Sequence, residues 1–162
     1  MKKINITVVC GELTESPSCV ELLEGYPEFN LVAQATDLED DGIWDALAGS
    51  DVLILDEAVL EETGYRSIRK LHDNYPTIRS LMVVEGEQEY KTIAAVSLGV
   101  QGVICKSSMI SMLRKAVISL YSGEAWLPRG LVQPLRDQVN REDNLACRHD
   151  LSSYSGYRGK LN

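Results

Sequence analysis

Two charged residues stand where a chain of this pattern does chemistry. Asp56 closes the apolar run Val52-Leu53-Ile54-Leu55, and Lys106 follows Gly102-Val103-Ile104-Cys105. A carboxylate ending one central strand and an ammonium ending another lie near each other on one edge of a parallel sheet, the edge where open α/β folds bind ligands. An aspartyl carboxylate can accept a phosphoryl group, with a cation beside it to stabilise the incoming charge. The same two residues equally make a structural ion pair, partly sheltered at the sheet edge. The remaining runs end in further residues of interest on that edge: Cys10, Gly11 and Glu12; Glu57; Val84, Glu85 and Gly86; and Ser107.

The elements that would hold these residues are legible as five short apolar runs alternating with five segments of helical period. Ile4-Asn5-Ile6-Thr7-Val8-Val9 is β-branched and stops at Cys10-Gly11, a strand and a turn. Ser16-Pro17 then supplies an N-cap and a proline at the first helical position, predicting a helix through Leu22-Leu23 to Gly25. Leu31 to Ala35 is a second strand, and a short helix covers about Ile43 to Ala48. Asp51 to Asp56 is nearly continuous apolar sequence, the mark of a central strand buried on both faces. A helix with Ile68 and Leu71 on its inner side ends by Pro76, and Ser80 to Val84 is the fourth strand. Tyr90, Ile93, Ala94 and Ser97 at i, i+3, i+4, i+7 predict a helix running to Gly99. Gly102 to Cys105 is the fifth strand, and Ser108 is placed to cap a last helix with the stripe Ile110, Leu113, Val117 and Leu120. Alternating strands and helices imply right-handed crossovers and a parallel sheet covered on both faces.

Composition narrows the function classes. The 162 residues are 44% hydrophobic and 25% charged, the mix of one globular domain with a tail. No apolar stretch approaches the ~20 residues of a membrane span. Met1-Lys2-Lys3-Ile4-Asn5 lacks the apolar core of a signal peptide, so the expected location is the cytoplasm. A net charge of −8 argues against this segment gripping DNA by itself, since such affinity comes from cations neutralising phosphates. The cysteines Cys10, Cys19, Cys105 and Cys147, with His72 and His149, show no zinc-ligand spacing and read as reduced small hydrophobes. No Gly-rich phosphate loop, nucleophile–base pair or dinucleotide fingerprint points to an enzyme.

Three segments carry a family likeness. They are Val52-Leu53-Ile54-Leu55-Asp56 with Gly64 after it, Leu98-Gly99-Val100-Gln101-Gly102-Val103-Ile104-Cys105-Lys106, and Gly123-Glu124-Ala125-Trp126-Leu127-Pro128-Arg129. In that order, on a fivefold βα pattern, the stretch from about Ile4 to Val132 resembles the receiver domain of two-component response regulators of the NarL/FixJ (LuxR-type) branch. The resemblance implies a flavodoxin-like (βα)5 fold, a five-stranded parallel sheet of order 2-1-3-4-5. It puts Asp56 at the phospho-acceptor position and Lys106 at the phosphate-contacting lysine.

Elsewhere the family's site does not match. Its Mg2+-binding acidic pair falls on Cys10-Gly11, or on Gly11-Glu12 if the register slips by one. The switch hydroxyl falls on Glu85, with Val84 the alternative, and the switch aromatic on Val103; Val59-Leu60 replace the methionine-proline. Mg2+ wants an octahedron of oxygens. A thiol and a hydrogen offer none, which leaves Asp56 and at best Glu12, so neither Mg2+ nor another cofactor is expected. Glu85 would set like charge beside a phosphoryl group, at on the order of 4 kcal/mol for ~4 Å near a protein surface. That is roughly a thousandfold in phosphorylation at ~1.4 kcal/mol per tenfold. The expectation is a receiver that does not rely on phosphorylation, with Lys106 held by Asp56, with or without Glu85, in a fixed charge cluster.

Three readings stay open: that atypical receiver, a weakly phosphorylatable receiver with Asp56 as acceptor, and a small-molecule or redox sensor using Cys10 and Cys105 at the same edge. The resemblance also implies a homodimer, with Tyr90, Lys91, Arg114 and Tyr121 as interface candidates, and a sensor kinase or another regulatory protein as partner. Residues 1–123 form the receiver, 124–140 an exit segment and possible linker helix, and 141–162 a polar flexible tail. The family's helix-turn-helix domain is absent from this sequence, so contact with DNA would fall to a domain beyond it.

Overall fold

The computed structural model describes residues 2–10, 18–38, 41–59, 66–86 and 89–127. The strands are β1 (Ile4–Val9), β2 (Phe29–Ala35), β3 (Val52–Asp56), β4 (Arg79–Val84) and β5 (Gly102–Cys105). The helices between and after them are α1 (Cys19–Glu24), α2 (Asp41–Leu47), α3 (Arg66–Asn74), α4 (Glu89–Ser97) and α5 (Met109–Tyr121), the last entered through a 3-10 turn at Lys106–Ser108. A helical stretch also begins at 57–59, directly after β3.

All neighbouring strands run parallel, in the order β2-β1-β3-β4-β5. This is the flavodoxin-like (βα)5 arrangement that the family resemblance implies, built on the parallel sheet that the alternating pattern predicts. Every residue of β3 is buried, because helices cover both faces of the central strands. The two-residue period of the strand sorts its side chains between two cores. Val52 and Ile54 join Ile6, Val8, Leu81 and Ile104 against Cys19 and Leu23 of α1 and Leu113, Val117 and Leu120 of α5. Leu53 and Leu55 join Val9, Met82 and Val103 against Ile43 and Leu47 of α2, Ile68 and Leu71 of α3 and Ala95 of α4.

The two sheet edges are finished differently. β2 alternates between buried or half-buried and exposed positions. β5 is covered by the chain returning from α5: the Val103 N–H donates to the Trp126 carbonyl at 2.8 Å, and the Trp126 N–H to the Gln101 carbonyl at 3.1 Å. Trp126 packs on one core and Leu127 on the other, so the short apolar hook closes an edge that would otherwise offer free backbone groups. Gly99 and Gly123 follow α4 and α5 with φ of 112° and 91°, the left-handed conformation in which glycine ends a helix at no steric cost.

Four local expectations are corrected. α1 starts after Ser18, whose Oγ accepts the Glu21 N–H at 3.3 Å, and Ser18 rather than Ser16 is the cap. In α4 the buried positions are Thr92, Ala95 and Val96, while Ala94 is exposed and Ile93 and Ser97 are half-buried. A polar threonine at the start of the stripe hid the true face. Ile110 is 66% exposed; Met109 takes the place expected for it, and the buried stripe is Met109, Leu113, Ala116, Val117 and Leu120. Ser108 makes no side-chain cap, because the 3-10 turn runs straight into α5 with Ser108 already in helical conformation.

Candidate functional site at the carboxyl edge of the sheet

Parallel register brings the strand ends together. Asp56 pairs with Val83 of β4, and Val84 pairs with Cys105 of β5, so Asp56 and Lys106 flank the end of β4. β1 lies on the other side of β3, with Val9 opposite Leu55, which puts Cys10 beside Asp56. The Asp56 carboxylate is buried, at 4% exposure. Its Oδ2 faces Lys106 Nζ at 3.8 Å, and its Oδ1 accepts the Ala58 N–H at 3.1 Å. The 3.8 Å separation exceeds direct hydrogen-bond length, so the attraction is Coulombic and strengthened by the shelter of the site. Lys106 keeps 24% of its side chain in solvent while its tip serves the buried acid.

The other edge residues do not join this pair as expected. Glu85 is exposed, and its backbone N–H points to Glu57 Oε1 at 3.5 Å. Among the described residues the ion pair of Lys106 is with Asp56, the form of the expected cluster without Glu85. An exposed carboxylate is also well screened, so the repulsion assigned to Glu85 falls toward the ~1 kcal/mol of bulk water. Val84 and Val103 are buried at 2% and 1%, Val103 inside the second core, where its isopropyl group has no ring to rotate. Val59 is buried at 2%. Gly11, Glu12 and Leu60 lie outside the described residues, as do the side chains of Tyr90 and Lys91.

A feature that the sequence did not suggest is the environment of Cys10. It shares one core with Cys19, at the start of α1, while Cys105 packs against the other. The hydrogen bond from Cys10 to Cys19, with burial, pushes the Cys10 thiol far above the ordinary thiol range, and the Asp56 charge adds to this while Lys106 opposes it. Cys19 is held below its ordinary value by that same hydrogen bond, against the effect of burial. A spacing of nine residues matches no cysteine motif, so only the fold places the two thiols in one core.

On the far side of the molecule Arg114 of α5 forms an ion pair with Glu28 and lies over the Tyr26 ring at 5.2 Å. It borders a cavity of about 500 Å3 whose lining includes Lys2, Lys3, Pro27, Ile118 and Tyr121. Tyr121 is 40% exposed, so the two described interface candidates share one side of the last helix. His72, the histidine of α3, is buried with Nε2 3.0 Å from Ser80 Oγ, a core hydrogen bond. Among the described residues no group of three His, Cys, Asp or Glu side chains is placed to hold a metal, and no helix is long and apolar enough to cross a membrane.

No protein-family model matches the chain, and no curated protein does. Solved structures do. The isolated receiver domain of RcsB from Salmonella enterica serovar Typhimurium, determined with the phosphomimetic BeF3-, superposes with a TM-score of 0.67 at 18% identity, covering 82% of this chain and 98% of that one. A LuxR-family two-component response regulator from Aurantimonas sp. SI85-9A1 gives 0.68 at 19% identity, with 85% and 98% covered. A structure of two RcsB dimers bound to two parallel DNAs gives 0.66 at 16% identity, with 99% and 92% covered.

Proposed function

Since the fold those structures share is the receiver fold, we propose that this chain is the signal-input domain of a LuxR-type transcriptional response regulator. In this reading it is cytoplasmic, works without phosphorylation, and acts through protein–protein contacts, with DNA held by a separate domain. The observation that carries the proposal is the Lys106–Asp56 ion pair, made inside a site whose switch positions hold Glu85 and the buried Val103. A phosphoryl group normally introduces the charge that a receiver lysine answers; here the buried carboxylate already answers it. Metal assistance is disfavoured by the donors in place. Cys10, whose thiol its surroundings keep protonated, and Lys106 both interact with Asp56, and neither a thiol nor an ammonium supplies the oxygen ligands that Mg2+ takes in octahedral geometry.

Incubation with acetyl phosphate, with and without Mg2+, followed by intact mass measurement, tests this reading. The expected result is an unmodified mass under both conditions. A stoichiometric, Mg2+-dependent adduct on Asp56 would establish the conventional receiver instead.

Self-association has a surface to use. Ile110, Ile118 and Tyr121 stand on the exposed side of α5 at 66%, 39% and 40% exposure, with Arg114 between them. The helix therefore presents an apolar strip interrupted by one cation, a common composition for protein contacts. A homodimer through α5 predicts that Ile118→Asp shifts the light-scattering mass from dimer toward monomer with the circular dichroism spectrum unchanged. An unaltered dimer mass would move the interface elsewhere.

A further inference from the structure

The cavity beside Arg114 takes no part in the chemistry of Asp56. It lies at the amino end of β1, at the opposite edge of the sheet from Lys106, and three segments build it. The chain enters β1 through Lys2 and Lys3. The turn before β2 contributes Pro27 and Glu28, tied to β1 by the Ile4 N–H, which donates to the Glu28 carbonyl at 2.9 Å. Helix α5 adds Arg114, Ile118 and Tyr121, spaced i, i+4, i+7 and therefore on one face of the helix. A volume of about 500 Å3 falls within the ~300–1,000 Å3 of small-molecule sites.

Its charge is opposite to that of the molecule. The chain has a net charge of −8, yet the lining holds three cations and one acid. That acid is already engaged, since Glu28 accepts from Arg114 Nε while the guanidinium lies over the Tyr26 ring. The pair occupies one donor of the guanidinium and leaves its Nη groups for another acceptor. Among the described residues Lys2 and Lys3 make no ion pair. Beside these cations Ile118 and Tyr121 are large hydrophobic residues left in contact with solvent.

We propose that this cavity binds a small amphiphilic carboxylate, its anionic head on Lys2, Lys3 and Arg114 and its apolar body on Pro27, Ile118 and Tyr121. Both halves are needed. Exposed ammonium groups are screened and hold a bare anion weakly, whereas an apolar body that leaves the water adds its own contribution. A single negative charge suits the site better than a phosphate dianion, because repulsion from Glu28 in the same lining grows with the charge of the ligand. Ile118 and Tyr121 also belong to the apolar strip of α5, but the whole lining comes from one chain, so binding requires no second copy. Nor does it depend on whether Asp56 is phosphorylated.

Titration of the isotope-labelled full chain with naphthoate, followed through its amide chemical shifts, reads affinity and location together. The expected result is saturable binding of one naphthoate per chain with a Kd on the order of 0.1 mM. The largest shifts should fall at Lys3, Glu28, Ile118 and Tyr121. Acetate, which is the head alone, and naphthylmethanol, which is the body alone, should each bind roughly tenfold more weakly or worse. Lys2 and Lys3 are exposed, so the double variant Lys2→Gln/Lys3→Gln leaves the fold intact. It should weaken naphthoate roughly fivefold or more while leaving naphthylmethanol unchanged. Shifts that do not saturate, or that are largest around Asp56 and Lys106, would overturn the proposal. Equal affinity for naphthoate and naphthylmethanol, or an unaltered naphthoate affinity in the double variant, would overturn it as well.

Discussion

Two ion pairs sit on different sides of this molecule, and they are alike only in composition. Lys106–Asp56 lies at the carboxyl edge of the sheet, its acid side chain 5% exposed and fixed by the Ala58 N–H. Arg114–Glu28 lies on the surface between α5 and the turn before β2, its guanidinium side chain 53% exposed and resting on Tyr26. The first couples residues from strands that are not neighbours; the second stitches a helix to a loop. A sheltered carboxylate has surrendered its hydration and depends on its partner, whereas an exposed pair can trade its partner for water. Burial, rather than closeness, decides which pair the structure needs.

The largest effect should come from breaking the sheltered pair on its cationic side. Lys106→Met leaves Asp56 charged and unpartnered, and is expected to cost about 2–3 kcal/mol by urea unfolding, below the ~3–5 of a fully buried pair because Lys106 is partly solvated. Removing the opposite partner is the informative contrast. Asp56→Asn keeps the shape of the site and frees an ammonium that already reaches solvent, so the loss should stay under about 1 kcal/mol. Equal losses from the two substitutions would contradict the claim that the buried acid is the dependent member.

The smallest effect belongs to the surface pair. Arg114→Ala should change the unfolding midpoint at neutral pH by no more than the error of its measurement. The Glu28 carboxyl is held below its ordinary value of 4.5, first by its own backbone N–H and then by Arg114. A depressed folded value means stability that is present above 4.5 and lost as pH falls through the folded value. The variant should retain most of that acid-dependent loss, since the backbone hydrogen bond survives, and should differ from wild type only slightly above pH 4.5. A large difference at neutral pH would show that the exposed pair matters as much as the buried one.

The sheet was legible in the sequence because burial on both faces leaves an unambiguous mark. Val52 to Leu55 can be little else than a central strand, and strands of that kind in alternation with helices lead to a parallel sheet covered on both faces, its order 2-1-3-4-5 being what the family resemblance added. Helix faces were less legible. Thr92 is buried in α4 and Ile110 is exposed on α5, each the reverse of its hydropathy, because neighbours in the fold decide which of two adjacent residues faces inward. Cap positions failed for a related reason: Ser16 and Ser18 are both competent caps, and the choice rests on where the helix can dock.

The sequence by itself determined which charged residues end β3 and β5, and so that Asp56 and Lys106 would lie on one edge of the sheet. Strand period and parallel register leave little freedom in that. Only the tertiary structure decided that Glu85 turns to solvent while Cys10 shares a core with Cys19, and that Trp126 seals the edge of β5. Those outcomes depend on where connections leave the sheet and on which helix packs beside which strand. Such contacts join residues with no fixed spacing along the chain, and no local pattern encodes them.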